Sequence, residues 1–247
     1  LVLTNSDIPN ETVYASIPDG SGGYYIGGDF TRVGEAFRSR IAHIDQAGNV
    51  TDFASDLNLN GRVLTLALDG STLYFGGAFS TFGGTNSSGG FYNLTEETFR
   101  SEPIVEGQVF TSAPDGNGGL FIGGNFSSIN GLKRDNLAHV DASGELTDWA
   151  PGTNGTVNEL SVFNGLVYVG GNFQFIGEEI RNYIASVDAQ SGEVTDWDPN
   201  ADGRIESMYL DSDNQLLYLG GYFISIGQAA RNRIAAIDIS TGLANSW

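Results

Sequence analysis

The chain has 247 residues, enough for one large domain or two ordinary ones, and its 11 basic and 30 acidic residues give a net charge of −19. A field of that sign repels phosphate backbones and anionic lipid head groups, which argues against nucleic acids and membrane insertion and leaves metal cations, basic partners and neutral sugars open. Because the chain has no cysteine, it cannot form disulfides, zinc-thiolate sites or a cysteine nucleophile.

The first strands of the predicted pattern lie near the beginning of the sequence. β-rich runs extend from Val13 to Pro18 and from Tyr24 to Phe30, joined by an Asp19-Gly20 turn. A loop, a third run from Arg40 to Asp45, a glycine turn and a short strand ending at Phe53 follow. The apolar runs are nearly continuous and lack helical periodicity, which is typical of strands covered on both faces.

This pattern occurs five times, and each copy is marked by a Gly-Gly pair followed two residues later by Phe. The pairs are Gly27-Gly28, Gly76-Gly77, Gly123-Gly124, Gly170-Gly171 and Gly220-Gly221. Their spacings of 47 to 50 residues define repeats of about 48 residues, each with four short strands. The sequence therefore predicts an all-β fold, a five-bladed β-propeller of four-stranded antiparallel blades that forms a single domain over residues 1–247.

Turn residues and chain ends fit the same prediction. The tight turn before each later pair carries residues that tolerate positive φ: Asp69-Gly70, Asp115-Gly116, Asn164-Gly165 and Asp213-Asn214. Both Leu1 to Thr4 and Leu243 to Trp247 match the last strand of a blade, although a ring has one such position. We expect the ring to close within the chain, and the alternative is a piece of a longer array.

The repeats resemble a known family. The motifs that carry the resemblance are Gly-Gly-x-Phe, Arg-Asn-Arg-Ile-Ala-Ala-Ile-Asp at 231–238 and Val-Thr-Asp-Trp-Asp-Pro-Asn at 194–200. They are similar to the delta-60-type β-propeller repeats of large bacterial surface and secreted proteins, over essentially the whole chain. The resemblance implies a propeller fold and an exported location, and it implies no general enzymatic activity. The sequence has no signal peptide, so we expect any targeting signal to lie outside it.

An arginine and an aspartate recur at fixed positions in every repeat except the second. The arginines are Arg38, Arg134, Arg181 and Arg231, and the aspartates are Asp45, Asp141, Asp188 and Asp238. The second repeat has Ser87 and Leu94 at these positions, so both members are lost together. This pattern predicts four structural ion pairs, because the loss of one partner alone would leave an unpaired charge between blades.

One further position differs between the repeats and is a candidate binding site. Directly after the Gly-Gly pair stand Asp29, Ala78, Asn125, Asn172 and Tyr222. Equal repeat positions form a ring around a propeller axis, so Asp29, Asn125, Asn172 and Tyr222 could line one site, although a solvated or packing position is the simpler interpretation. His43 and His139 share another position, but their blades are not adjacent, so we predict no zinc site.

Six sequons occur, of which five are possible glycosylation sites. These five are Asn10, Asn49, Asn86, Asn93 and Asn154, whereas Asn125 is expected to lie in a core strand. Calcium binding is open at the oxygen-rich segments 211–214 and 198–202, although turn chemistry explains both. No other cofactor or metal is predicted.

The sequence favours a non-enzymatic extracellular module for adhesion, carbohydrate binding or surface assembly, with a carbohydrate, a surface protein or further copies of itself as partner. One alternative is a glycan-processing enzyme that uses Asp29 with a glutamate such as Glu35 or Glu178. Another is a subunit of an extracellular filament. The second repeat departs most from the others, so it is the first place to expect a specialised surface.

Overall fold

The computed structural model describes residues 8–82, 86–100 and 103–246. These residues form antiparallel β-sheets and contain no helix, which confirms the predicted all-β class. None of the described segments is therefore a helix of the length and apolarity needed to cross a membrane. The predicted terminal strand Leu1 to Thr4 and the last residue, Trp247, lie outside the described residues.

Twenty-three strands are present in the described residues. The first two repeats contain β1 (Val13–Pro18), β2 (Tyr24–Gly28), β3 (Arg32–Val33), β4 (Ala36–Phe37), β5 (Ile41–Ile44), β6 (Arg62–Asp69), β7 (Thr72–Ala78), β8 (Gly89–Asn93) and β9 (Thr98–Arg100). The third contains β10 (Val105–Pro114), β11 (Leu120–Ile129), β12 (Leu132–Lys133) and β13 (Leu137–Val140). The last two contain β14 (Thr156–Phe163), β15 (Leu166–Asn172), β16 (Phe175–Ile176), β17 (Glu179–Ile180), β18 (Ile184–Asp188), β19 (Ile205–Asp211), β20 (Leu216–Gly221), β21 (Ser225–Ile226), β22 (Ala229–Ala230) and β23 (Ile234–Asp238).

Each repeat forms one main sheet, with the Gly-Gly strand in its interior, and the hairpins β3-β4, β16-β17 and β21-β22 form separate two-stranded sheets. The sheet orders are β1-β2-β5, β6-β7-β8-β9, β10-β11-β12 with β13 also paired to β11, β14-β15-β18 and β19-β20-β23. The prediction of a fourth strand is wrong for four repeats. In these repeats the segment forms only one isolated β-bridge, such as Ile44 with Val50 or Val187 with Val194. A full fourth strand, β9, is present in the second repeat.

A threonine ends this segment after a single bridge. The Thr51 amide donates to the His43 carbonyl at 3.0 Å, and the Thr51 hydroxyl then accepts from the amide of Phe53 at 3.3 Å. The same turn joins Thr147 to Trp149 and Thr195 to Trp197. Since a hydroxyl that accepts from the second amide downstream bends the chain, the segment leaves the sheet before a strand can extend.

The predicted pairs between repeat arginines and aspartates are wrong. Each arginine donates from one Nη to the carbonyl of the preceding residue and from the other to a carbonyl 13 or 14 residues later. The distant acceptors are Thr51 for Arg38, Thr147 for Arg134, Thr195 for Arg181 and Asn245 for Arg231. The arginines therefore fasten the bridge segment to the preceding hairpin by donating to backbone oxygens.

The repeat aspartates close turns instead of facing the arginines. Asp45 accepts from the amide of Asn49 at 2.8 Å, and Asp141, Asp188 and Asp238 accept in the same way from amides two to four residues downstream. Backbone amides hold the pKa of Asp45 and Asp188 below its ordinary value, and the hydroxyls of Ser143 and Ser240, ahead of the amides, do so for Asp141 and Asp238. A glycine with φ between 71° and 91° follows within four residues in each turn, at Gly48, Gly144, Gly192 and Gly242.

Neighbouring sheets pack through a β-branched residue that sits on the first glycine of a Gly-Gly pair. A Cβ on Gly27 would lie 2.5 Å from Val63 Cγ1, and one on Gly76 would lie 2.7 Å from Val109 Cγ1. A Cβ on Gly170 would lie 2.9 Å from Ile205 Cγ2. The covering residues are the first apolar residues of the next repeat and are at most 2% exposed. Glycine is needed here because any side chain would displace the next sheet.

The residues divide into two compact units. One contains the chain up to Ser112 with Ser128–Leu132, and the other contains Ala113–Ser127 with the chain from Lys133. The first unit has a buried core around Ile41, Val63 and Phe75. The second has two cores, one around Trp149 and Val157 and the other around Ile205 and Phe223. The prediction of a single domain stays a prediction.

We expect Gly76→Ala to destabilise the protein by about 1–3 kcal/mol, because its Cβ would overlap Val109 and overpack the interface between sheets. Urea denaturation followed by circular dichroism measures the change. Gly89→Ala is the matched control, because Gly89 pairs with Gly76 but its Cβ would meet the nearest atom at 3.6 Å. Equal losses in the two variants would contradict this packing explanation.

Candidate functional site

His139 is held on both ring nitrogens by neighbouring side chains. Its Nε2 lies 2.9 Å from Asp115 Oδ2, and its Nδ1 lies 3.2 Å from Thr147 Oγ1. The side chains of His139 and Asp115 are 14% and 13% exposed. The imidazole packs against Phe121 at 4.5 Å between ring centroids. Pairing with a carboxylate favours the proton on Nε2, so the arrangement fixes both the orientation and the tautomer of the ring.

The first repeat contains the same arrangement. His43 Nε2 lies 3.0 Å from Asp19 Oδ2, and His43 Nδ1 lies 3.2 Å from Thr51 Oγ1. In both repeats the aspartate and histidine are 24 residues apart. These pairs were not predicted, although the sequence carries a signal for them: the two repeats with histidine are also the two whose turn reads Asp-Gly-x-Gly-Gly, at 19–23 and 115–119.

The turn positions the carboxylate of each pair. Asp115 Oδ1 accepts from the amides of Asn117 at 2.7 Å and Gly119 at 2.8 Å. Burial raises the pKa of Asp115, but the hydrogen bonds from Asn117, His139 and Gly119 outweigh burial and leave the pKa below its ordinary value. In the first repeat, the hydroxyl of Ser21 is the main cause that holds the pKa of Asp19 far below its ordinary value.

Beside His139 lies a cleft of about 650 Å³, here called the repeat-three cleft. Its lining includes Asp115, His139, Asp148, Trp149, Asp188 and Gln190. The Trp149 indole is 5% exposed and donates to the Asp188 carbonyl at 2.9 Å, which joins the third and fourth repeats at the floor of the cleft. No lysine or arginine is among the described lining residues, so the cleft offers mainly hydrogen-bond acceptors.

A second cavity lies in the second repeat and has a volume of about 690 Å³. This repeat-two cavity is lined by Ser80, Asn86, Ser87, Ser88, Glu106 and neighbouring residues. The Ser87 hydroxyl donates to the carbonyls of Gly89 at 2.8 Å and Pro103 at 3.0 Å. Ser87 thus replaces the repeat arginine as a tether to the following segment, and its polar atoms are already used within the protein.

The four residues predicted to share a binding site make separate contacts. Asp29 pairs with Arg40 at 2.7 Å and Arg62 at 3.6 Å, while the Tyr222 ring lies 4.0 Å from the Arg204 guanidinium carbon. Within the second unit, Asn125, Asn172 and Tyr222 make no hydrogen bond, ion pair or ring contact with one another in the described residues. Asn125 lies in the interior strand β11 as expected, and the side chains of Asn125 and Asn172 are exposed.

Several predicted glycosylation sites use their amides within the protein. Asn10 accepts from the Thr31 amide at 2.9 Å, Asn49 donates to Asp45 at 3.1 Å, and Asn93 accepts from the Thr95 amide at 2.9 Å. Asn154 accepts from the amides of residues 174 and 175, as Asn10 does from those of 31 and 32. Asn86 is exposed beside the repeat-two cavity. Glycosylation at all five stays a prediction.

The segments considered for calcium use carboxylate oxygens to fix turns. Asp211 Oδ1 accepts from the amide of Asn214 at 3.0 Å, and Asp198 Oδ1 accepts from that of Asn200 at 2.9 Å. Asp202 Oδ1 accepts from the Ile224 amide at 2.8 Å. Turn chemistry therefore accounts for these oxygens, and calcium binding stays a prediction.

Comparison with known proteins relates the fold to solved structures. No protein-family model and no curated protein matches the chain. It is similar to two crystal structures of the extracellular domain of BT4673 from B. thetaiotaomicron, described as a one component system and a hybrid two component system. Both have a TM-score of 0.60, with 14% and 16% identity over 98% and 99% of this chain, and 30% and 28% of theirs.

A chain of the mitotic checkpoint complex is similar at a TM-score of 0.62 and 14% identity, over 98% of this chain and 65% of that one. The chain therefore spans less than two thirds of the length of each of these structures. At such identities the similarity establishes a shared fold only.

We expect the hydrogen-bonded Asp115 to make stability depend on acid pH. Because its folded pKa lies below its ordinary value of 3.8, its contribution is present above that pH and is lost as the pH falls through the folded pKa. Asp115→Asn should therefore flatten the fall in urea midpoint between pH 5 and pH 2, besides lowering stability by about 1–3 kcal/mol at pH 7. Asp148→Asn, at an exposed carboxylate, is the control, and an unchanged pH profile in Asp115→Asn would contradict the prediction.

Proposed function

We propose that this protein is a non-enzymatic extracellular binding module, that its five sheets are blades of a β-propeller, and that the repeat-three cleft binds a carbohydrate. The observation that carries the proposal is the composition of this cleft: the edges of Trp149 and Phe121 line it together with carboxylates and amides. Sugar rings pack on aromatic surfaces, while their hydroxyl groups donate to carboxylates and amides.

Available acceptors distinguish this cleft from the repeat-two cavity. In the described residues Asp148 makes no hydrogen bond or ion pair and is exposed, so its carboxylate can accept from a ligand. Gln190 also lines the cleft with its amide. In the repeat-two cavity, by contrast, the Ser87 and Ser88 hydroxyls donate to backbone carbonyls, and Glu106 accepts from Ser128 at 2.6 Å.

Duplication of the histidine pairs favours binding over catalysis. A hydroxyl, an imidazole and a carboxylate stand in series in both the third and the first repeat, as in a nucleophile relay. However, the Thr147 hydroxyl also accepts from the Trp149 amide at 3.2 Å, which ties it to the turn. Two equal copies that brace the same turn are better explained as structural units than as two active sites.

The carboxylate considered for the glycosidase alternative is paired within the protein. The Asp29 carboxylate lies against Arg40 and Arg62, and its side chain is 32% exposed. Glu35 is exposed in the turn between β3 and β4.

Sheet packing supports the propeller, and similarity to solved structures supports the extracellular location. Five main antiparallel sheets, three of which pack on the next repeat through the same glycine position, agree with a blade repeat. The BT4673 structures are extracellular domains, which agrees with an exported module. The high acidity is compatible with a neutral or cationic ligand.

A glycan array followed by calorimetry with the bound glycan tests the proposal. We expect Asp148→Ala to weaken binding at least about tenfold, because a carboxylate that accepts hydrogen bonds from sugar hydroxyls contributes about 1.5–3 kcal/mol. Gln190→Ala should weaken binding less, because a neutral amide forms weaker hydrogen bonds.

Asp196→Ala is the matched control, because Asp196 has the same place in the Thr-Asp-Trp motif of the fourth repeat but does not line the cleft. It should leave the affinity unchanged. The proposed site would be contradicted if the wild type bound no glycan. It would also be contradicted if Asp148→Ala and Asp196→Ala weakened binding equally.

A further inference from the structure

The carboxylates of the repeat-three cleft have no cationic side chain beside them in its lining. Asp115, Asp148 and Asp188 line the cleft, whereas no lysine or arginine does so among the described residues. Arg134 donates to the carbonyl of the lining residue Thr147 at 2.7 Å and to that of its own preceding residue at 2.9 Å. Its donors are therefore directed to the backbone and not to the carboxylates of the cleft.

Hydrogen bonds fix one of these carboxylates in its charged form. Asp188 Oδ1 accepts from the amides of Ser191 at 2.7 Å and Gln190 at 2.9 Å. Because these amides and the Ser191 hydroxyl stabilise the carboxylate, the pKa of Asp188 lies below its ordinary value. Its charge is therefore present at neutral pH, and the turn sets its position before a ligand arrives.

The other two carboxylates differ in what they already bind. Asp115 lies against His139, so this pair is neutral as a whole whenever the imidazole is protonated. Asp148 is exposed and makes no hydrogen bond or ion pair in the described residues. Asp148 and Asp188 therefore keep the lining negative in either protonation state of His139. The net charge of −19 on the chain adds to the same field.

We propose that the carbohydrate bound by this cleft is an amino sugar with a free amino group, whose ammonium group is attracted by Asp148 and Asp188. This inference rests on the proposed function and selects the ligand by its charge. A protonated amine is attracted by both carboxylates, an acetylated amine forms only neutral hydrogen bonds with them, and a uronic or sulfated sugar is repelled. An ammonium group offers three donors and no acceptor, which suits a lining rich in acceptors.

Calorimetric titration with three trisaccharides tests the proposal. A glucosamine trimer and an N-acetylglucosamine trimer share rings and linkages and differ only in acetylation of the amino groups, while a galacturonic acid trimer carries carboxylates. At about pH 6 the free amines are protonated. The glucosamine trimer should bind at least about tenfold more tightly than the acetylated trimer, because two solvent-exposed ion pairs together contribute about that factor. The galacturonic acid trimer should not bind.

Asp148→Asn separates the charge of the site from its shape. It should weaken binding of the glucosamine trimer about two- to fivefold and change binding of the acetylated trimer little, because asparagine keeps an acceptor oxygen but carries no charge. Asp196→Asn is the matched control, because it removes the same charge from an exposed aspartate that does not line the cleft. It should leave both affinities unchanged. Added salt should reduce the preference for the glucosamine trimer by screening.

Failure of this inference can be distinguished from failure of the proposed function. If the acetylated trimer binds as tightly as the glucosamine trimer and Asp148→Ala weakens both, the cleft binds carbohydrate but does not select the amine. If Asp148→Asn and Asp196→Asn weaken binding of the glucosamine trimer equally, the amine is attracted by the acidic chain as a whole, and the inference is wrong.

A trilysine peptide that binds as tightly as the glucosamine trimer would show that the cleft selects amines without regard to the sugar ring, which would also overturn the inference. If the wild type binds none of the trimers and no glycan of the array, the proposed function and the inference are both wrong.

Discussion

The fit of a β-branched side chain onto a glycine orders the repeats of this protein. Two stacked sheets normally lie about 10 Å apart, because side chains from both sheets fill the space between them. Where Gly76 has no side chain, Val109 approaches the backbone closely enough that a single added carbon would lie 2.7 Å from it. The same approach occurs at Gly27 and Gly170, so one short motif sets the spacing between successive sheets.

Backbone hydrogen bonding decides what the polar residues of the repeat do. Turns and the single-bridge segment leave carbonyl and amide groups without sheet partners, and burying such groups unpaired costs free energy. Arg134 supplies donors to two carbonyls, Asp141 accepts from amides of its turn, and Thr147 accepts from the Trp149 amide. The charged residues that recur most regularly are therefore the ones that form hydrogen bonds with backbone groups. In the second repeat Ser87 takes the place of the arginine. Its shorter side chain is sufficient because the Pro103 carbonyl lies within hydrogen-bond distance of the Ser87 hydroxyl.

The candidate site combines a repeated brace with residues that are not repeated. Asp115 and His139 recur as Asp19 and His43, and both pairs fix a turn. What distinguishes the third repeat is the cleft beside the pair, which the edge of Trp149 lines and where Asp148 remains available to a ligand. The protein thus places its proposed binding residues on a rigid support whose own polar groups are fully used, which limits the rearrangement that binding would require.

By itself, the sequence determined the all-β class and the five repeats, because periodic apolar runs and glycine turns are local properties of the chain. It also marked most turns, although at Asp213-Asn214 the positive φ falls on Gln215. The partners of Arg38 and Asp45 depended on tertiary structure, since equal spacing in every repeat cannot distinguish a side-chain pair from two separate contacts with the backbone. The histidine pairs and the cleft were decided in the same way, because each depends on what another strand brings beside the residue and not on the residue itself.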